Sequence, residues 1–220
     1  MILETKDLII RPSQWSDIEI FYPWELEPAV TQFFSIRDGQ TMEDVVKKYI
    51  ADDDDPKAMQ FTICLKPETC EGAEACEAAV EAGTAKPIGR IVLADIEDGW
   101  KAELWRIYIA DTALRGKGLG KQSMLAMMSY CFDVLGLSRL YLDHYTGNPA
   151  AGLYLSLGFQ YEGVLRGNCR KNGMLYDVHL MSMLKDEYYE KYAQWYAEEE
   201  EKGGGDASTY DTGLWWPEDQ

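Results

Sequence analysis

The sequence predicts a single α/β domain of the α+β kind, in which a mixed β-sheet is flanked by helices. Three observations support this fold class. An apolar run at residues 104–109 leads into a glycine turn, and a helical pattern continues from there to Leu135. A second apolar run at residues 140–145 follows that helix, which completes a β-α-β unit with parallel strands. Alternating segments before and after this unit add antiparallel strands.

The first residues predict a strand and two short helices. Residues 8–10 form the strand, which Pro12 ends. Residues 13–34 form the helices, interrupted at Pro23 and Pro28. Aromatic side chains are dense in this segment. They either line a pocket or cover the sheet, and the sequence leaves both interpretations open.

A third helix and two strands come next. Residues 41–50 form the helix, with the first of them, a threonine, as N-cap and Asp44 at the third helical position. Strands follow at residues 59–65 and 87–96, so residues 66–86 are an insertion that holds a short exposed helix. The buried stripe predicted for the third helix consists of Val45, Val46, Tyr49 and Ile50.

Two further helices flank the second strand of the β-α-β unit. The helix after the glycine turn buries residues at three- and four-residue steps and stops at Gly136. Asn148 and Pro149 occupy the N-cap and first turn of the next helix, which Gly158 closes. A capping role is therefore an alternative to any binding role of Asn148.

The last part of the chain predicts a hairpin, a helix and a tail. Residues 159–166 and 174–184 are antiparallel strands joined by a turn region at residues 167–173. Residues 185–201 are helical, and a run of three glycines follows. The predicted organisation is a domain at residues 1–185, a C-terminal helix at 186–202 and a flexible tail at 203–220.

The glycine turn predicts an anion-binding site. Glycines at alternate positions let the backbone curl with its N–H groups pointing inward, and the helix start adds free donors and a positive dipole. A P-loop is disfavoured because Arg115 and Gln122 occupy its glycine and hydroxyl positions, and a dinucleotide motif because Ser123 replaces its third glycine. A solvated surface loop remains the alternative. The turn consists of Arg115, Gly116, Lys117, Gly118, Leu119, Gly120 and Lys121.

Composition limits the class of protein. The 220 residues carry a formal net charge of -17, which argues against nucleic acid or an anionic membrane as a partner and favours a cationic amine. The five cysteines include no Cys-x-x-Cys pair and there are two histidines, so a zinc site or disulfide framework is not expected. No apolar run is long enough for a membrane span. We therefore expect a reduced, cytoplasmic protein.

Two motifs resemble the GCN5-related N-acetyltransferase (GNAT) superfamily. The first is Arg-x-x-Gly-x-Gly after a strand, which here is Arg115 to Gly120. The second follows the next strand and reads Asn148-Pro149-Ala150-Ala151-Gly152-Leu153-Tyr154-Leu155-Ser156-Leu157-Gly158-Phe159. Residues 3–12 and 162–166 are similar to the subgroup of ribosomal-protein-alanine and spermidine N-acetyltransferases. The resemblance covers residues 1–185 and not the tail.

The resemblance implies a centrally splayed sheet and an enzyme that moves an acetyl group from acetyl-CoA directly to a primary amine, without a metal. It implies that the glycine turn cradles the pyrophosphate, that Asn148 contacts the pantetheine arm and that Tyr154 meets the coenzyme sulfur. A bulge near the end of the strand before the turn would offer N–H groups to the acetyl carbonyl. The strand residues implied in cofactor binding are Ile107, Tyr108 and Ile109.

The general base and the acetyl acceptor are linked questions. An α-amine with a pKa of about 8 needs little help to lose its proton, whereas a lysine amine near 10.4 needs much more. Glu103 is the first choice for the base, with Asp143 and His144 as alternatives. The expected acceptor is a protein or peptide N-terminus, such as that of a ribosomal protein. A polyamine acceptor, a non-catalytic acyl-CoA sensor and a homodimer that pairs through Trp215 and Trp216 remain open.

Overall fold

The computed structural model describes residues 2–36, 38–68 and 72–192. Its strands form one eight-stranded sheet in the order β1-β2-β3-β4-β5-β6-β8-β7. The predicted mixed α/β fold is confirmed. The strands are β1 (Leu3–Glu4), β2 (Leu8–Pro12), β3 (Met59–Leu65), β4 (Lys86–Glu97), β5 (Lys101–Ile109), β6 (Arg139–Tyr145), β7 (Gln160–Lys171) and β8 (Met174–Leu184).

The sheet opens at its centre. β5 and β6 are the parallel pair among the described strands, and they stay in register over three residues, from Lys101 opposite Arg139 to Glu103 opposite Tyr141. β5 continues to Ile109 along β4, while β6 continues to Tyr145 along β8. A gap therefore widens between the two strands beyond Glu103. This is the splay that the sequence resemblance implies.

Helices cover both faces of the sheet. They are α1 (Ile18–Trp24), α2 (Pro28–Thr31), α3 (Met42–Asp53), α4 (Ala73–Glu81), α5 (Leu119–Ser129) and α6 (Ala150–Ser156), followed by helical residues 185–192. α5 and the last helix pack on one face, where Met124 and Tyr188 join the largest apolar cluster. α1 and α3 lie on the other, which we call the α1 face, where Phe21 packs against Tyr49 in a second cluster.

The N-terminal helices follow the prediction with two corrections. Thr41 and Asp44 form the expected cap, since each side chain accepts a hydrogen bond from the other residue's backbone N–H, at 3.2 Å and 2.8 Å. Pro23 lies inside α1 and does not interrupt it, because the helix ends one residue later and loses little hydrogen bonding. Ile50 was wrongly placed in the buried stripe, since it is 39% exposed.

Two more predictions change in the middle of the chain. The insertion does hold a helix, α4, but this helix is not simply exposed, because Cys76 and Ala79 pack on Ile9 and Cys64. The helix after the glycine turn is not regular up to Leu135, because its last turn is a π-helical segment, Tyr130–Val134.

The final hairpin is longer than predicted. β7 extends to Lys171, and the chain reverses at Asn172 and Gly173, whose φ angles of 49° and 82° suit a tight type I′ turn. Gly167, with φ of 62°, lies in a bulge of β7 and is not part of the turn. The Asn-Gly pair was a signal in the sequence that the prediction of a turn at residues 167–173 overlooked.

The last segments of the chain lie outside the described residues. These are residues 193–220, which include the predicted end of the C-terminal helix, the glycine break and the tail with Trp215 and Trp216. The predicted domain boundaries therefore stay predictions. In the described part of the chain, no helix has the length and apolar character needed to cross a membrane.

Candidate active site

A cavity of about 740 Å³ occupies the gap between β5 and β6. The ends of both strands, the glycine turn, α6, residues 29–35 and β7 all contribute to its walls. The hairpin of β7 and β8 is tied to residues 31–38 above the cavity. Lys171 donates from Nζ to the Thr31 carbonyl at 2.6 Å, and Asn172 donates from Nδ2 to Asp38 at 2.7 Å. These two hydrogen bonds hold the hairpin against the N-terminal segment that contributes to the cavity wall.

The glycine turn presents backbone donors to this cavity. Gly116 and Gly118 have φ angles of 76° and 78°, a left-handed conformation that favours glycine. The first helical hydrogen bond here runs from Gln122 N to Gly118 O, so the N–H groups of the first turn of α5 have no helical acceptor. Gly120 has an ordinary φ, and an added Cβ would meet just one atom, Cδ2 of Leu153 at 3.9 Å. Neither the backbone angle nor a neighbouring protein atom therefore requires a glycine at position 120.

The cationic side chains of the turn, Arg115, Lys117 and Lys121, do not lie together in one place. Arg115 lines the cavity but donates to the Ala29 carbonyl at 2.6 Å. Lys117 lines a separate groove with Lys6 and Lys66, and Lys121 is exposed. An anion in the cavity would therefore meet the backbone donors of the turn more than these side chains.

The edge of β5 offers further N–H groups. Ala110 donates its N–H to Ile88 of β4 at 2.8 Å. Because N–H groups alternate in direction along a strand, that of Tyr108 also points toward β4, and those of Ile107 and Ile109 point into the gap. Tyr108 therefore contributes its side chain to the site and not its N–H. The predicted bulge lies earlier than expected, at Trp105, where the register shifts by one residue.

Tyr154 is on α6 at the wall of the cavity and is 7% exposed. Its hydroxyl has no hydrogen-bond partner among the described residues. Burial, and then the nearby charge of Asp143, raise the pKa of Tyr154 to about 12, so the phenol is protonated at neutral pH. Asn148 also lines the cavity, and its Oδ1 accepts the N–H of Ala150 at 2.9 Å; the N-cap of α6 is however Pro149, one residue later than predicted.

The three candidate bases lie in different places. Glu103 is the last residue of β5 paired with β6, just below the point where the gap opens. Burial and then repulsion by Asp143 raise the pKa of Glu103 to about 7. Asp143 lines the cavity and is exposed there, and partial desolvation by the surrounding protein raises its pKa as well. His144 does not line the cavity, because its ring stacks on His179 with 5.1 Å between centroids.

The sequence analysis did not single out a buried charge cluster on the α1 face. Glu25 Oε1 accepts from Arg90 Nη1 at 2.8 Å, Arg106 Nη1 at 2.6 Å and Tyr108 Oη at 3.1 Å. Burial alone would raise the pKa of Glu25, but the two guanidinium groups hold it below its ordinary value. The sequence did contain a signal for this cluster. Arg106 is a charged residue inside the apolar run at residues 104–109, and a buried charge must find a partner.

The bulge gives Arg106 its place in the site. Trp105 and Arg106 lie on the same face of the sheet, with Arg106 Cζ 4.5 Å from the Trp105 ring centroid. Phe34 flanks the guanidinium on another side at 6.0 Å. Arg106, Trp105 and Phe34 all line the cavity.

A splayed sheet, a donor-rich glycine turn and an open strand edge around one cavity are the features that the sequence resemblance implies for an acyl-coenzyme A-dependent transferase. Comparison with family models gives the particular family. The model described as "Acetyltransferase (GNAT) domain" matches residues 7–160, more than half of the chain. The chain belongs to the GNAT family of acetyltransferases and is an N-acetyltransferase, as its sequence resemblance implies. This family uses acetyl-CoA as the acetyl donor.

Relatives with curated names fit this assignment. An uncharacterized N-acetyltransferase of Bacillus subtilis is 27% identical over 190 residues, covering 84% of this chain and 97% of that protein. The spermine/spermidine N(1)-acetyltransferase of the same organism is 30% identical over 118 residues, covering 46% of this chain and 77% of that protein.

Solved structures share the fold. A spermidine N-acetyltransferase from Vibrio cholerae, crystallised with CoA and spermine, has a TM-score of 0.68 and 22% identity, covering 84% of this chain and 99% of that one. A GNAT enzyme from Brucella melitensis has a TM-score of 0.65 and 19% identity, covering 89% and 85%. Similarity at this level of identity establishes the fold alone.

Proposed function

We propose that this chain transfers the acetyl group of acetyl-CoA directly to the primary amine of a protein or peptide N-terminus. One observation carries the proposal. The N–H donors of the glycine turn, the open edge of β5, the Tyr154 side chain and Asp143 all border a single cavity, and Glu103 precedes the first residue of β5 that lines it. Such a site can hold a phosphate-bearing thioester at one end and a proton-accepting carboxylate at the other.

The residues of the turn suit acetyl-CoA. Gly116 and Gly118 curl the backbone so that its N–H groups converge, and Gly120 leaves space where a side chain would enter the cavity. The pyrophosphate would lie against these donors and the start of α5. Acetyl-CoA, once bound, supplies an acyl carbon that an amine can attack.

The remaining residues of the site have separate roles in this proposal. Glu103, directly or through a water molecule, accepts the proton of the amine. The N–H groups of Ile107 and Ile109 donate to the acyl oxygen, on which negative charge develops. Tyr154 donates a hydrogen bond to the departing thiolate. Because the Tyr154 pKa of about 12 exceeds that of a thiol, about 8.5, this hydrogen bond matters more than complete proton transfer.

A polyamine is the second candidate acceptor. It is favoured by the relatives, since spermine and spermidine appear in their printed names. A polyamine carries several ammonium groups, however. Among the described residues, Asp143 is the carboxylate that lines this cavity, and Arg106 and Arg115 are its cations. Placing a second ammonium near those guanidinium groups is unfavourable, which supports the peptide N-terminus.

Acetyl-CoA is expected to stabilise the protein and to release free thiol when an amine is present. At a concentration one hundred times its Kd, a ligand of the native state adds about 2.7 kcal/mol to the free energy of unfolding. Thermal denaturation should respond much less to NADH or ATP. Thiol release should then be measured with N-terminal peptides, spermidine and lysine. Equal thermal shifts from all three nucleotides, or stabilisation without thiol release, would contradict the enzyme proposed here.

Gly120→Val tests where the donor binds. The added side chain would enter the cavity without backbone strain, so we expect at least about a tenfold weaker Kd for acetyl-CoA, a loss of about 1.4 kcal/mol in binding. Gly152→Val is the matched control, since Gly152 is also helical and in open space but does not line the cavity. Isothermal titration should detect normal binding in the control. Normal binding in Gly120→Val would place the phosphate site elsewhere.

A further inference from the structure

The wall of the cavity contains a buried guanidinium that the acetyl-transfer roles above do not use. Arg106 is 4% exposed and lines the cavity. Among the described residues it makes one hydrogen bond, from Nη1 to Glu25. Its Nε is buried without a partner, and Nη2 has none among the described residues either. A guanidinium normally uses several of its five N–H donors when it is buried.

The charge around Arg106 is not balanced by the protein. Arg90 and Arg106 are 1% and 4% exposed and share one carboxylate, that of Glu25, which is 3% exposed and ionised. The neighbouring ion pairs are internally balanced, with Arg11 on Asp17 and Lys48 on Asp52. One buried positive charge is therefore left over at the cavity wall. Such a charge is costly unless an anion meets it.

Arg106 is also held rigidly. The ring centroids of Trp105 and Phe34 lie 4.5 Å and 6.0 Å from its Cζ. The hydrogen bond from Nη1 to Glu25 fixes one end of the guanidinium group. Arg90 also has an unpartnered Nε, but its Nη1 and Nη2 donate to Glu25 and Gln60 and it does not line the cavity. Because Nε of Arg106 is buried, the unused donor that can meet a ligand in the cavity is Nη2 of Arg106.

We propose that Arg106 binds a carboxylate of the acetyl acceptor, so that the acceptor is a primary amine bearing a nearby carboxylate. This inference rests on the proposed function: it narrows a peptide acceptor to one with an acidic first residue and adds a free amino acid as an acceptor of the same chemistry. Glu103 and Arg106 are separated by the bulge at Trp105 and pair with Ala94 and Val92, two positions apart on β4, which is about 7 Å along a strand. The amine and the carboxylate can thus be held at opposite ends of one short acceptor. The carboxylate belongs either to a free amino acid or to an acidic first residue of a peptide.

An acceptor panel with the unaltered protein tests the proposal. Glycine is compared with glycinamide, and the amidated dipeptide Asp-Ala with amidated Asn-Ala, with rates expressed per concentration of neutral amine. In the pair whose carboxylate reaches Arg106, hydrogen bonds to a charged group predict a kcat/KM about 10- to 100-fold higher for the acceptor with the carboxylate than for its amide. A preference within the first pair indicates a free amino acid, and within the second an acidic N-terminus. Equal rates within both pairs, or spermidine as the best substrate, would overturn the proposal.

Arg106→Gln should abolish this preference. The kcat/KM values of the two members of each pair should then agree to within about threefold, well short of the tenfold that one such hydrogen bond is worth. Arg90→Gln is the matched control, because it removes the same charge from Glu25 without altering the cavity wall, and it should keep the preference. Arg106→Lys should retain part of it if Arg106→Gln does not fold. Loss of the preference in both glutamine variants would overturn the role of Arg106. So would weaker acetyl-CoA binding in Arg106→Gln with the preference intact. If no amine is acetylated and acetyl-CoA gives no stabilisation, the proposed function itself fails.

Discussion

Replacing Tyr154 by phenylalanine is expected to lower the single-turnover rate of acetyl transfer by about 10²- to 10⁴-fold, the range found for groups that assist proton transfer. The variant removes one hydroxyl, which has no partner among the described residues, and keeps the ring in contact with Phe159. The free energy of unfolding and the affinity for acetyl-CoA should therefore barely change. The measurement uses saturating acceptor and rapid mixing, because slow product release would hide the loss in steady-state rates.

Tyr130→Phe provides the matched control. Tyr130 is buried in the same apolar cluster, and burial raises its pKa too, but it lies away from the cavity. Its substitution should leave the single-turnover rate within about threefold of the parent, well below the range of proton-transfer effects. A Tyr154→Phe rate as close to the parent as this would remove Tyr154 from the mechanism. A large loss of stability would indicate a packing role instead.

The fold could be predicted because its organising segment is local. The glycine turn, the strand before it and the helix after it depend on a few neighbouring residues, and the cap of α3 by Thr41 and Asp44 is equally local. Those features appear in the sequence as glycine spacing, apolar periodicity and capping residues. The long hairpin was accessible in the same way, through Asn172 and Gly173.

The acceptor side of the cavity could not be predicted in this way. Its wall depends on the bulge at Trp105, which brings Trp105 and Arg106 to the same face of β5. Strand alternation alone would have placed them on opposite faces. It also depends on Glu25, which is 81 residues from Arg106 in the chain. Register and long-range pairing arise from the whole sheet, so no local pattern reports them.

The pH dependence of the reaction should identify the base. Glu103 has a pKa of about 7 in the folded protein, against an ordinary value of 4.5. If Glu103 accepts the proton of the amine, kcat/KM expressed per concentration of neutral amine should rise with pH up to an apparent pKa near 7 and then level off. Because Glu103 and Asp143 repel each other, that apparent value belongs to the pair and not to one residue alone.

Glu103→Gln is expected to lower kcat by about 10²- to 10³-fold at pH 8. It should also remove the acid limb of the pH profile, which is the rise in kcat/KM with pH up to about 7. The raised pKa also predicts the sign of a stability change. A carboxyl group with a higher pKa in the folded state destabilises it when ionised, so the penalty is absent below pH 4.5, grows between 4.5 and about 7, and is complete above. The variant should thus be more stable than the parent at pH 8 and similar to it at pH 4.

Asp143→Asn separates the two carboxylates. Removing the charge of Asp143 also removes its repulsion of Glu103, so the acid limb should move to lower pH while remaining visible. If Asp143 were the base, the limb would vanish in Asp143→Asn and merely shift in Glu103→Gln. Glu97→Gln is the control, because Glu97 pairs with Lys101 at the far end of β5 from the cavity, and its profile should match the parent. The pair of profiles therefore assigns the proton acceptor to one residue, since the two assignments predict opposite patterns.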